Sequence, residues 1–156
     1  MENLSSKAYF LRNEFINKLR EIRPDTKPAW GKMNLQQMIE HMSYSMRQAN
    51  GKELYSCITP EENIPKMQAF LMSEKPFREN TPNQLLPDTP EPPTKGDIDE
   101  ALDELKQETE DFFKAFERSP DRKITNPFFG DLNYEMWVQL LHKHAWHHLK
   151  QFGITE

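Results

Sequence analysis

The sequence predicts an all-α protein: a four-helix bundle in up-down-down-up order, with a long proline-rich crossover between its second and third helices. Three observations carry that expectation. Four segments repeat apolar residues at helical spacing between recognisable helix ends. No segment sustains the period-2 alternation of a half-buried strand, so no sheet is expected. About 45 residues separate the second and third segments, far more than joins adjacent antiparallel helices. Short first and last connections around one long crossover give the stated order.

The first helix is expected from Ser6 to Ile22, where Phe10, Leu11, Phe15, Ile16 and Leu19 form a stripe and Pro24 stops it. The second starts at Asn34, a good N-cap, with Gln37 in capping-box position. Its stripe is Leu35, Met38, Ile39, Met42, Met46 and Ala49, and Asn50-Gly51 ends it. The crossover, 51–96, holds most of the chain's prolines, among them Pro60, Pro65, Pro76, Pro82, Pro87, Pro90, Pro92 and Pro93. Proline removes a donor and clashes inside helices, so 75–95 is expected to be irregular, with a short helix around Glu61–Glu74. The third helix is capped by Asp97, carries Ile98, Leu102, Leu105, Phe112, Phe113 and Phe116, and closes at Pro120. The fourth follows Gly130, with Asn133 as cap, and runs through Trp137, Val138, Leu140, Leu141, His144, His148 and Phe152 to Gly153.

Size and composition set the remaining bounds. The 156 residues, 18.5 kDa, suit a single domain over 1–156. The formal net charge of −5 supplies no basic face for nucleic acid. Mean hydropathy is −0.88, yet 10 Phe, 4 Tyr, 3 Trp and 8 Met are enough to fill a modest core. No apolar run approaches the roughly 20 residues that span a bilayer, and the first residues lack the features of a secretory signal. The single cysteine, Cys57, excludes an internal disulfide, which suits a cytoplasmic location.

The histidines carry the chemistry. His41 lies in the second helix, and His142, His144, His147 and His148 crowd the fourth. Residues four apart on a helix are neighbours, so His144 and His148 project from one face, the face that continues Trp137 and Leu141. His41 lies on a mostly buried stripe between Met38 and Met42, and Ser45 leaves space beside it. Adjacent second and fourth helices would bring three imidazoles together. Buried imidazoles need a reason: charged, they are uncompensated, and neutral, they still have two nitrogens to satisfy. A divalent ion resolves this by taking one nitrogen from each. Three protein ligands leave a position open, as in a catalytic site, whereas a closed structural site has four. Zinc, nickel and iron all suit such a site. Glu40, Gln37 and Gln151 are candidates to accept from the outer nitrogens.

With these residues in place, the chain resembles the DinB-like (YfiT-like) superfamily of metal-dependent helical bundles. The family's fourth-helix pattern HxxHHxxQ is matched from His144 through His147 and His148 to Gln151. The stretch from His41 to Ser45, eleven residues after Trp30, is similar to its second-helix motif. Two further stretches, Pro28 to His41 and Asn126 to Leu132, resemble a narrower branch of that superfamily. The resemblance implies His41, His144 and His148 as metal ligands. It also implies a metal-dependent transferase, hydrolase or isomerase acting on a small molecule, with a low-molecular-weight thiol as a candidate partner, and a homodimer; the alternative is a non-catalytic metal- or small-ligand-binding bundle or an interaction module. Leu149 stands where many members have Arg, and Asn126 where branch members have His.

The remaining candidates carry alternatives. His147 is a solvated residue, a partner of a ligand, or a substrate contact. Glu40 is a general base or a surface residue. Phe128, Phe129, Trp137 and Trp146 line a substrate mouth or fill the core, with Trp146 expected to be the most exposed. His142 is expected on the surface.

Overall fold

A computed structural model of the chain describes residues 3–79, 85–87 and 89–156. It is mostly helical, with one small two-stranded sheet. The first helical stretch is α1 (Leu4–Tyr9), a π-helical turn (Phe10–Glu14) and α2 (Phe15–Arg20). It starts two residues before the sequence-based boundary, because the Asn3 side chain caps it by accepting from the Ser6 N–H. The π turn has a direct cause in the sequence. Phe10 and Phe15 are both apolar but five residues apart, a spacing that a regular helix places on different faces. The wider turn, closed by the Phe15 N–H on the Phe10 carbonyl, buries both rings with centroids 6.1 Å apart.

The second helix, α3 (Leu35–Ala49), opens with the expected capping box. Asn34 Oδ1 accepts from the Gln37 N–H and Gln37 Oε1 accepts from the Asn34 N–H, each at 2.8 Å. Helix α5 (Ile98–Arg118) is capped by Asp97 as expected, and α6 (Tyr134–Gln151) by Asn133. α3 packs along α5, and α6 touches α1, α3 and α4 (Ile64–Met72). The core gathers Leu11, Phe15 and Leu19 with Met38, Met42 and Met46 of α3, Leu105 and Phe112 of α5, and Trp137, Leu141 and Leu149 of α6.

The expectation of no sheet is overturned. β1 (Ile124–Asn126) and β2 (Gly130–Leu132) pair antiparallel, with Ile124 opposite Leu132 and Asn126 opposite Gly130. Strands of three residues are too short to show alternation, so turn chemistry makes this hairpin. Asn126 Oδ1 accepts from the Phe128 and Phe129 N–H groups, and Gly130 supplies a φ of +80°. Trp137 Nε1 donates to the Ile124 carbonyl at 3.1 Å and ties the hairpin to α6.

Between α3 and α5 the chain forms a 3₁₀ turn (Glu61–Asn63) that runs directly into α4, where the short helix was expected. No other helix or strand occurs among the described residues of 51–96; Pro82 lies outside them. This connection is fastened at several places. Lys143 Nζ donates to the Ser73 and Lys75 carbonyls, and Lys7 pairs with Glu74. Farther on, the polar face of α3 takes over: Gln37 Nε2 donates to the Glu91 carbonyl, Gln36 Nε2 donates to that of Lys95, and Glu40 accepts from Thr94 and Lys95.

Candidate metal centre

His41 is on α3, and His144 and His148 are one turn apart on α6. The three rings meet where α3 and α6 pack. His144 Nε2 stands 3.1 Å from His41 Nε2 and 2.9 Å from His148 Nε2. The ring centroids are 4.6–5.0 Å apart, and all three residues offer a ligand atom within 4.8 Å of the others. The outer nitrogens of two rings face oxygens. His144 Nδ1 lies 3.3 Å from Ser45 Oγ, and His148 Nδ1 lies 2.7 Å from Gln151 Oε1. The space expected beside His41 is thus where the Ser45 hydroxyl meets a histidine.

Burial governs the electrostatics. It pushes His41 down to about 4, with His147 adding to the effect, and it holds His144 and His148 well below the ordinary histidine value. All three rings are therefore neutral at pH 7, the form that ligates metals. The spacing also fits an ion. Nitrogens at 2.0–2.1 Å from a tetrahedral zinc stand about 3.3 Å apart, and the observed 2.9 and 3.1 Å lie within a few tenths of that.

The surroundings sort the remaining candidates. Gln151 is buried against His148, as its spacing suggested, and its Nε2 donates to the Trp30 carbonyl at 2.8 Å. His147 is wedged between Trp30 and Phe77, with centroids 5.3 and 5.9 Å away, and burial lowers its pKa. Glu40 turns toward the α3–α5 connection. It accepts from the Thr94 N–H and hydroxyl at 2.8 Å each, from Gln36 at 3.1 Å and from the Lys95 N–H at 3.2 Å. Burial pushes its carboxyl up, but these donors outweigh that and hold it below the usual range. Gln37 is committed to its helix cap and to Glu91. Trp146 stacks on Phe10 at 5.2 Å, under the ammonium of Lys18, and Phe129 and Trp137 are core residues. His142 is half-buried rather than on the surface: α1 and the π turn cover that side of α6, and its ring meets Phe10 edge-on at 5.3 Å.

Sequence reasoning missed Phe77, whose ring packs edge-on against both His144 (6.2 Å) and His147. A lone aromatic between Pro76 and Arg78 belongs to no periodic pattern. It also missed Tyr44, one turn along α3 from His41, whose hydroxyl donates to that of Tyr55 at 2.9 Å.

Comparison with known proteins agrees with this picture. A family profile described as the DinB superfamily matches residues 13–152, a span that includes all three histidines. No curated protein and no solved structure matches the chain. The chain belongs to the DinB superfamily.

Proposed function

We propose that this protein is a metal-dependent enzyme that binds one divalent transition ion through His41, His144 and His148 and acts on a small molecule. The observation that supports it best is the approach of His41 Nε2 and His148 Nε2 to His144 Nε2 while the outer nitrogens of His144 and His148 face Ser45 and Gln151. No carboxylate is among the three, so a cation is the natural partner for their inward lone pairs. On this reading the main helical segments form an up-down-down-up bundle within one domain, with residues 51–96 as its crossover, in the cytoplasm. Zinc, nickel and iron all fit the imidazole set.

A divalent ion held there supplies Lewis acidity and favours the deprotonated form of a thiol or water. The chain's own residues do the rest. Ser45 and Gln151 orient the rings of His144 and His148. Phe77 and Trp30, flanking His147, shield one side from water. A low-molecular-weight thiol as co-substrate, with transfer, hydrolysis or isomerisation as the reaction, is the class that fits, and a homodimer is the expected assembly. A second reading, a metal holder without turnover, is favoured by the close approach of Phe77 to His144.

Elemental analysis of the purified protein tests the first layer: about one tightly held transition ion per chain is expected. No ion after loading with zinc, nickel and ferrous iron in turn would overturn it. A screen of thiols against small electrophiles then separates enzyme from holder, since only the enzyme turns over.

A further inference from the structure

Gln151 is held by the turn that precedes α3. Its backbone carbonyl accepts from the Ala29 N–H at 2.8 Å, and its Nε2 donates to the Trp30 carbonyl at 2.8 Å. The next residue, Gly31, has φ of +77°, and a Cβ placed on it would stand 3.0 Å from Gln151 Nε2. That separation is tighter than ordinary van der Waals contact. Gly31 thus supplies two things, a left-handed backbone and the room that the Gln151 amide occupies.

The consequence reaches the histidines. A carbonyl only accepts, so the Trp30 oxygen fixes which end of the Gln151 amide is NH₂. The other end, Oε1, then faces His148 Nδ1 at 2.7 Å and can only accept from it. His148 Nδ1 therefore carries the proton, and its Nε2 presents a lone pair toward His144 and His41. We propose that the Trp30-Gly31 turn is a positioning element of the histidine cluster: it sets the Gln151 amide, and through it the tautomer of His148.

The inference rests on the metal reading for its effect on affinity, while its effect on the tautomer stands apart from any ion. The test is long-range ¹H–¹⁵N spectroscopy of the metal-free full chain, paired with zinc titration against a competing chelator. In the parent protein His148 should be a single Nδ1–H tautomer. In Gly31→Ala and in Gly31→Asn, whose side chain tolerates positive φ better, an Nε2–H population should appear, and zinc should bind roughly 10–100-fold more weakly. Gly153→Ala is the control for backbone strain, because Gly153 has φ of +89° but nothing within 4 Å of where an added methyl group would stand; it should change neither readout. Adding Gln151→Glu to Gly31→Asn should restore the Nδ1–H tautomer, since both carboxylate oxygens accept.

An unchanged tautomer in the Gly31 variants, an equal effect of Gly153→Ala, or no rescue by glutamate would overturn the proposal. So would unfolding of both Gly31 variants while Gly153→Ala folds, because the role would then be structural. If the tautomers behave as expected but the parent protein binds no zinc, the metal reading falls and the positioning role stands.

Discussion

The carboxylate of Glu40 holds both the N–H and the hydroxyl of Thr94, each at 2.8 Å, directly beside the α3 position that carries His41. A residue adjacent to a candidate ligand is thereby committed to fastening the α3–α5 connection. Glu40→Ala should destabilise the protein by about 1.5–3 kcal/mol, the usual range for hydrogen bonds to a charged group, measured by urea denaturation. Zinc binding by the folded variant should persist; its loss would place Glu40 in the site after all. Because the folded-state pKa of Glu40 is lowered, its contribution should be present above the unfolded carboxyl value and fade as the pH falls.

His142 and His144 lie two residues apart on α6 but on different faces, one against Phe10 and one against His41. His144→Ala should abolish tight zinc uptake, a loss of at least about 100-fold. His142→Ala should leave uptake intact. Isothermal titration of both variants separates them, and equal losses would refute the face assignment.

The metal-free protein should lose stability as the pH falls from about 6.5 toward about 4. His41 titrates at about 4 when folded and near 6.5 when unfolded, so across that window the unfolded chain binds protons that the folded chain refuses. His144 and His148 act in the same direction. Thermal melts at stepped pH check the sign, and a melting temperature flat or rising on acidification would contradict it.

Phe112 is fully buried among Phe113 and Phe116 of its own helix, α5, and Tyr134 of α6. Phe112→Ala should cost about 3–5 kcal/mol. Zinc affinity of whatever remains folded should be nearly unchanged, because the aromatic partners of Phe112 are Phe113, Phe116 and Tyr134 and not the histidines. Chemical denaturation gives the first number and titration at low temperature the second.

Helices and caps were legible because their signals are local. Asn34 with Gln37, Asp97 and Asn133 each announce a helix start within four residues, and each caps as expected. The histidine set was legible because one turn of helix relates His144 to His148, and the buried stripe of α3 pointed His41 inward. What escaped was non-local or too short to repeat. The hairpin rests on three-residue strands and one Asn side chain. The π turn depends on a five-residue spacing that also reads as an ordinary helix. Phe77 stands at the site beside a stretch near 73–75 that Lys143 and Lys7 hold, contacts between residues more than 60 positions apart.

His41 and His144 are 103 residues apart in the chain and 3.1 Å apart at their ring nitrogens. A ligand bridging such a pair would act as a reversible cross-link between the two halves of the polypeptide. Its free concentration would then set the protein's resistance to unfolding: at 100 times the dissociation constant the gain is about 2.7 kcal/mol. Starvation for the ion, or a strong chelator, would accordingly shorten the protein's lifetime against proteases.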